Sequence, residues 1–340
     1  MLIREGPSFP TLAGASPSQT LGVTAVIPCY DEADGLARAY AELASELSSY
    51  DAELLFVDDG SRDRTLELIK GFAARDPRVR YISFTRNFGL EAAFGAGFRY
   101  ASKPWIVQLD ADLQSPPSEV HRLLARALEG DVDVVFGIRR DRRDSWFRCA
   151  ASWLQHWLAR RVLGLQIPPG ASTFRVVRTS VAKKISGLRL GTPYFLAAVP
   201  MTGARHATVD TEHVPRRHGR SRFRLVKLAS HAVDLFFGFS LRPFALLPAF
   251  AALAGLPAVV VPLVTSGGAA TARAALAAVL AVQVLSLTAL ALLGRYVMGL
   301  VRQAHPLRYL VRESNLEIMP EDLLHEYENV PDLASPRGVA

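Results

Sequence analysis

Two carboxylates one residue apart, Asp110 and Asp112, followed by Gln114, stand at the end of an apolar run in the string WIVQLDADLQSPP (105–117). Carboxylates at i and i+2 just past a strand can reach one cation. With an amide oxygen they form a hard oxygen site of the kind Mg²⁺ or Mn²⁺ accepts, leaving positions for water and diphosphate oxygens. The string ELLFVDDGSRDRT (53–65) has the same form: an apolar run ends in Asp58 and Asp59, a Gly-Ser turn follows, and Asp63 is placed to N-cap a helix. A third string, TAVIPCYDE (24–32), ends its apolar run at Pro28. Each is commonplace alone; all three in order, one βα unit apart, form a pattern.

The elements that must position these residues follow from hydrophobic periodicity. From Val23 to about Gly137, short β-branched runs (VTAVIP, AELLFVDD, VRYISF, WIVQLD, DVVFGI) alternate with helix-length amphipathic segments. That alternation predicts five strands in a mostly parallel α/β sheet flanked by helices. The polar residues of interest fall in the loops after those runs, where ligands of parallel sheets bind.

Composition bounds the rest. The chain has 340 residues, half of them hydrophobic and 21% charged, which excludes wholesale disorder and fibrous classes. Two isolated cysteines, Cys29 and Cys149, exclude a disulfide-stapled scaffold and CxxC zinc fingers, and fit a reducing compartment. The net charge of +7 gains meaning from its location. Residues 243–272 and 274–294 carry no charged side chain. Twenty-one residues make roughly 32 Å of helix, matching a hydrocarbon core of about 30 Å. Basic residues precede the first stretch (Arg216 through Lys227, then Arg242) and follow the second (Arg295, Arg302, Arg308, Arg312), while the turn between them holds only Arg273. The positive-inside rule then predicts a hairpin that enters and leaves from the cytoplasm.

Two further segments, Ser145 to Leu163 and Phe223 to Phe239, mix aromatic, leucine and basic residues in the manner of interfacial helices. Basic residues thus collect at the inner membrane surface, accounting for the net charge with no nucleic-acid partner.

The strings VIPCYDE, VDDGSRDRT, RNFGLEAAFGAG and LDADLQSPP, in that order, resemble the catalytic domain of glycosyltransferase family 2. The likeness is to the branch that makes polyprenyl-phosphate sugars, the dolichol-phosphate mannose synthases and bactoprenol glucosyltransferases. It covers about residues 22 to 240, and the two-span C-terminus resembles the bacterial members. The resemblance implies a GT-A type fold, with a mobile tail over 1–20, a cytoplasmic catalytic domain over 21–222 and an amphipathic interfacial segment over 223–242. A transmembrane hairpin over 243–298, with spans at about 244–264 and 274–296, and a cytoplasmic tail over 299–340 complete it.

It further implies that Pro28, Tyr30, Glu32, Val57 and Asp59 hold the nucleoside of a nucleotide-sugar donor. Asp110, Ala111 and Asp112 face its diphosphate, and Asp112 and Gln114, with Asp110, hold Mg²⁺ or Mn²⁺. Arg139 in FGIRR, and Arg216 and Arg222 in PRRHGRSRF, match cationic positions for phosphate, and guanidinium suits phosphate bidentately. The implied partners are a UDP- or GDP-sugar, a polyprenyl phosphate and the lipid bilayer of the cytoplasmic membrane; homo-oligomer formation stays open.

Three departures from the family pattern stand out. Asp31 replaces a frequent Asn, Leu90 and Glu91 follow RNFG where polar or basic residues are common, and STFRV (172–176) lacks the Asp that bactoprenol members often place before Phe-Arg. A hydroxyl acceptor needs a general base, whereas a phosphomonoester with a second pKa near ~6 is already mostly dianionic at neutral pH. The missing carboxylate therefore fits a phosphate acceptor. Inverting attack by the lipid phosphate on the anomeric carbon, with Asp110, Asp112 and Arg139 catalytic, is the implied reaction.

Competing classes fit less well. A dinucleotide-binding dehydrogenase has only Gly95 and Gly97, with Tyr100 where a third glycine belongs, and a processive synthase lacks its QxxRW string. A family member acting on a hydroxylated lipid or natural product, or a catalytically silent scaffold that binds nucleotide sugars, remain as alternatives. For the hairpin, a cysteine placed at Gly267 is expected to react with an impermeant thiol reagent applied outside intact cells or from the periplasm; labelling only after lysis would refute it.

Overall fold

The computed structural model describes residues 20–139, 170–188, 195–212, 269–304 and 309–323. An eight-stranded sheet in the order β7-β5-β6-β4-β1-β2-β3-β8 organises them. The five expected strands are present: β1 (Gly22–Cys29), β2 (Asp51–Asp58), β3 (Val79–Phe84), β4 (Trp105–Gln108) and β5 (Val134–Arg139). β4, β1, β2 and β3 run parallel to one another. Their helical connections, α1 (Ala33–Glu46), α2 (Thr65–Ala73) and α3 (Leu90–Tyr100), cover the faces of this parallel part. Beyond β4 come α4 (Val120–Leu128), β6 (Ala171–Arg178), α5 (Thr179–Gly187), α6 (Phe195–Met201) and β7 (His206–Thr211).

Three strands beyond the expected five alter the edges. β6 inserts antiparallel between β4 and β5, and β7 adds parallel to β5. The third, β8 (Val311–Ser314), follows the long helix α7 (Ala269–Ala304) and pairs antiparallel with β3, closing the opposite edge. Strand direction of travel reverses between β1 and β4, which leaves a crevice at their carboxyl ends, where open α/β sheets bind ligands.

Burial separates two apolar layers, one under α1, α2 and α4 (Ile27, Leu36, Leu54, Phe56, Phe72), the other under α3, α5 and α6 (Val26, Leu55, Ile82, Phe94, Phe98). The β1–α3 packing explains a glycine of the GxG pair. A Cβ on Gly97 would lie 2.1 Å from Val26 Cγ1, so the helix approaches the strand at a distance only glycine permits. This glycine serves packing rather than phosphate binding.

The C-terminal helix α7 is 36 residues long. Its span 274–294 is uncharged, and Leu276, Leu280, Val284, Leu287 and Leu290 are exposed along it. Counted over the described residues alone, no helix is long and apolar enough to cross a membrane, so the hairpin is not a feature of the described structure. The first expected span (244–264), both interfacial segments, Arg216 and Arg222 lie outside the described residues.

Gly97→Ala is expected to cost about 1–3 kcal/mol through overpacking against Val26, read as a lowered denaturation midpoint. The double variant with Val26→Ala should recover part of the loss; equal stability of Gly97→Ala and wild type would refute the close packing.

Candidate functional site

The loops after β1 and β2 are laced together by side-chain acceptors for backbone amides. Asp31 N–H donates to Ser61 Oγ (3.0 Å), and Arg62 N–H donates back to Asp31 Oδ1 (2.8 Å). Glu32 N–H donates to Thr65 Oγ1 (2.9 Å), and Ala33 N–H to Asp63 Oδ2 (3.1 Å). Asp31 sits at φ 52°, in the left-handed region that Asp and Asn tolerate better than most residues. The Asp31 departure from the usual Asn therefore keeps the turn and the acceptor oxygen that Arg62 N–H uses.

Asp63 differs from its expected place. The N-cap of α2 is Arg64, and Asp63 stands one residue earlier, where Oδ1 accepts from the Thr65 amide (3.0 Å) and hydroxyl (2.5 Å). Its second oxygen is drawn across to Ala33, so it ties two loops instead of capping one helix. Burial works against its charge, but the hydrogen bonds from Thr65 and Ala33 outweigh it and hold the carboxyl below its usual range.

The paired acids of VDDG divide their work. Asp58 accepts from Ser61 N–H (3.1 Å) and Ser83 Oγ (2.7 Å). Asp59 reaches across to the loop after β3, where Oδ1 accepts from Phe88 N–H (2.6 Å) and Oδ2 from Gly89 N–H (2.9 Å). Burial raises the Asp59 pKa to about 6, the two backbone bonds opposing that rise and the neighbouring Asp58 charge adding to it. Gly60, at φ 68°, is required here: a Cβ would lie 2.4 Å from the backbone carbon of Arg86. These contacts bring the loops after β1, β2 and β3 around one cleft of about 340 Å³, whose lining includes Tyr30 and Ser61.

Of the residues expected to hold a nucleoside, Tyr30 lines this cleft, and Pro28 and Val57 face each other in the β1–β2 register. The Val57 side chain is fully buried in the core, so only its backbone can meet a ligand.

The acids after β4 form the other half of the site. Asp110 Oδ2 accepts from Thr173 Oγ1 of β6 at 2.9 Å. Asp112 accepts from the Gln114 backbone amide (3.2 Å) and side-chain Nε2 (2.6 Å), across a turn in which Leu113 takes φ 53°. Turning the Gln114 amide over presents its oxygen beside the same carboxylate. Two carboxylates and one amide at this spacing fit a hard divalent ion whose remaining ligands are water or substrate oxygens. Among the described residues no group of three or more His, Cys, Asp and Glu gathers to hold a metal, here or elsewhere, so an ion at this site would draw on two carboxylates, one amide and substrate or water oxygens. Arg139 ends β5 opposite Thr211, its side chain outside the described set.

One residue escaped the sequence reading. Arg175, on β6 two residues from Thr173, is buried, donates from Nε to Gln108 Oε1 (2.5 Å) and stacks over Phe195 at 4.0 Å. Its signal was an arginine inside the apolar strand string TFRVV.

The family model for "Glycosyl transferase family 2" matches residues 24–186. Undecaprenyl-phosphate 4-deoxy-4-formamido-L-arabinose transferase of Edwardsiella ictaluri is 35% identical over 239 residues, covering 69% of this chain and 73% of that one. This chain belongs to glycosyltransferase family 2. An uncharacterised glycosyltransferase of Synechocystis is 31% identical to this glycosyltransferase over 66% of its chain and 71% of the relative. A solved structure, glucosyl-3-phosphoglycerate synthase from Mycobacterium tuberculosis with UDP, aligns over 70% of this chain and 85% of its own at 19% identity and TM-score 0.49.

Asp59 gives a pH signature. Its pKa is raised on folding, so the cost of ionising it in place is absent below about pH 4 and complete above about pH 6. Asp59→Asn lacks that titration. The stability of the variant relative to wild type is expected to improve as pH rises from about 4 to about 7. A difference that stays constant in urea unfolding across that window would show that Asp59 does not titrate there.

Proposed function

We propose that this glycosyltransferase moves a sugar from a UDP- or GDP-sugar to a polyprenyl phosphate at the cytoplasmic face of a membrane, with inversion and with a divalent ion. The observation that carries the donor half is the crevice itself. Asp110, Asp112 and Gln114 stand at the end of β4, and the Tyr30 cleft opens beside them past β1 and β2, as an extended nucleotide sugar requires. Support for the acceptor comes from the curated relatives, whose name specifies undecaprenyl phosphate.

Thr173 occupies the position before Phe-Arg, and its hydroxyl is committed to Asp110, which suits an acceptor that arrives already ionised and needs no base. Asp112 and Gln114, with Asp110, would hold Mg²⁺ or Mn²⁺, which when bound supplies positive charge to the departing nucleoside diphosphate. Thr173 fixes the Asp110 carboxylate, and the buried Arg175 sets positive potential beneath the same strand end. Arg139, Arg216 and Arg222 are assigned to phosphate, where guanidinium pairs bidentately. Most of the acceleration is then a matter of positioning.

The membrane assignment rests on α7 and the preceding apolar stretch. Leucine and valine side chains more than half exposed run along α7, while Ser286 and Thr288 satisfy their hydroxyls on carbonyls four residues back (2.9 and 2.8 Å). Internal satisfaction of polar groups is what a hydrocarbon surrounding demands. A cytoplasmic catalytic domain and a two-span hairpin over 243–298 complete the proposal.

Purified full-length protein is expected to transfer radiolabelled sugar to undecaprenyl phosphate from at least one member of a panel of UDP- and GDP-sugars, in a chelator-sensitive manner. Asp112→Asn should cut turnover on the order of a hundredfold or more while thermal unfolding stays cooperative. Absence of transfer from every donor, or undiminished turnover in the variant, would overturn the assignment.

A further inference from the structure

The segment beyond the long helix does more than close a sheet edge. Leu310 C=O accepts from Thr85 N–H (3.0 Å), and the Asn315 side chain bridges the edge of β3 by accepting from Tyr81 N–H (2.8 Å) and donating to Val79 C=O (3.1 Å). Lys70 pairs with Glu313, and Asp322 gathers Arg99 (3.1 Å), Tyr100 (2.5 Å) and Tyr309 (3.1 Å). Tyr309 also stacks on Phe84 at 4.9 Å. The tail is therefore held in register from both sides of the arginine it carries, Arg312.

Arg312 Nη2 donates to Thr85 C=O (3.3 Å), and its side chain lines the same cleft as Tyr30, together with Arg62, Arg86 and Asn87. Arg86 lies over the Phe88 ring at 4.4 Å. Among the described residues none of the three arginines is in an ion pair, although Asp58 and Asp59 stand nearby with their oxygens committed to the loops. A cleft of this size with three guanidinium groups and one amide in its lining is suited to hydrogen-bond acceptors.

Position decides which acceptors. β8 stands four inter-strand steps from β4, roughly 19 Å at 4.8 Å per step, so Arg312 is remote from the acids assigned to the diphosphate. The end of a nucleotide sugar farthest from its phosphates is the base. Uracil and guanine both present carbonyl oxygens to which a guanidinium N–H can donate, and guanine adds N7 beside O6 as a second acceptor for the arginine fork.

We propose that Arg312 is a donor-specificity residue, delivered by the strand after the long helix, whose guanidinium donates to carbonyl oxygens of the nucleotide base, with Arg86 and Asn87 completing that end of the cleft. This rests on the donor being a UDP- or GDP-sugar.

The test is calorimetric titration of detergent-solubilised full-length protein with UDP, GDP and pyrophosphate in the presence of Mn²⁺. Arg312→Ala should weaken the preferred nucleoside diphosphate about tenfold, with pyrophosphate affinity within twofold of wild type. Arg312→Lys, which keeps the charge without the fork, should recover less than half of the loss on a logarithmic scale, and both variants should keep the wild-type unfolding midpoint within a few degrees. Nucleotide affinity within twofold of wild type in Arg312→Ala would overturn the proposal. An equal fall for pyrophosphate would also overturn it, by moving the contact to the phosphates. Wild-type protein that binds neither nucleotide would overturn the donor assignment as well, whereas sugar transfer with unaltered nucleotide affinity in the variant would overturn only the role of Arg312.

Discussion

Backbone amides at the ends of parallel strands have no partner within the sheet, and a buried N–H left unpaired costs about as much as a lost hydrogen bond. Here the neighbouring loop supplies the acceptors. Asp31 and Ser61, Thr65 and Glu32, Asp63 and Ala33, and Asp59 with Phe88 and Gly89 join the first three loops into one rim. The aspartates of the first two loops are thus largely consumed in building the rim. The same carboxylate chemistry that serves N–H groups at these strand ends would serve a cation after β4, as proposed above.

The charge distribution across the crevice follows from strand order. Asp110 and Asp112 follow β4, Arg86 follows β3 and Arg312 is carried by β8, three and four strands away, with Asp58, Asp59 and Arg62 between them. A ligand that brings a metal-bound anion at one end and carbonyl acceptors at the other has a single favourable orientation in that field. Reversing it would set the anion's metal against arginines.

Local periodicity made β1 to β5 and their helices legible, because each buried strand reads as a short β-branched run bounded by polar loops. It did not show β6, β7 or β8. The string VRES of β8 is short and half polar, and its pairing with β3 joins residues more than 200 positions apart, which no local pattern carries. Gly97 could be dismissed as a phosphate-binding glycine, yet its contact with Val26 became visible only once α3 was laid on β1. Asp63 was seen as a helix cap, and its second partner, Ala33, opens α1 thirty residues away. Asp110, Asp112 and Gln114 were picked out by type and spacing and Tyr30 by the family resemblance, while Arg175 and Arg312 were assigned no site role, because the partners of a lone arginine in a strand string come from distant segments.

The pairing of β8 with β3 also sets a schedule for the molecule's making. Ribosomes release the chain from its N-terminus, so β1 to β7 can assemble while β3 still presents an open edge. That edge is covered only after the long apolar helix and everything before residue 311 have been synthesised and have found their place. A nascent chain stalled before that point holds an exposed strand and an incomplete cleft, a state open to aggregation and to proteolytic triage. Completion of the enzyme and placement of its C-terminal segment therefore become one maturation event, and a fragment ending before β8 is left unfinished.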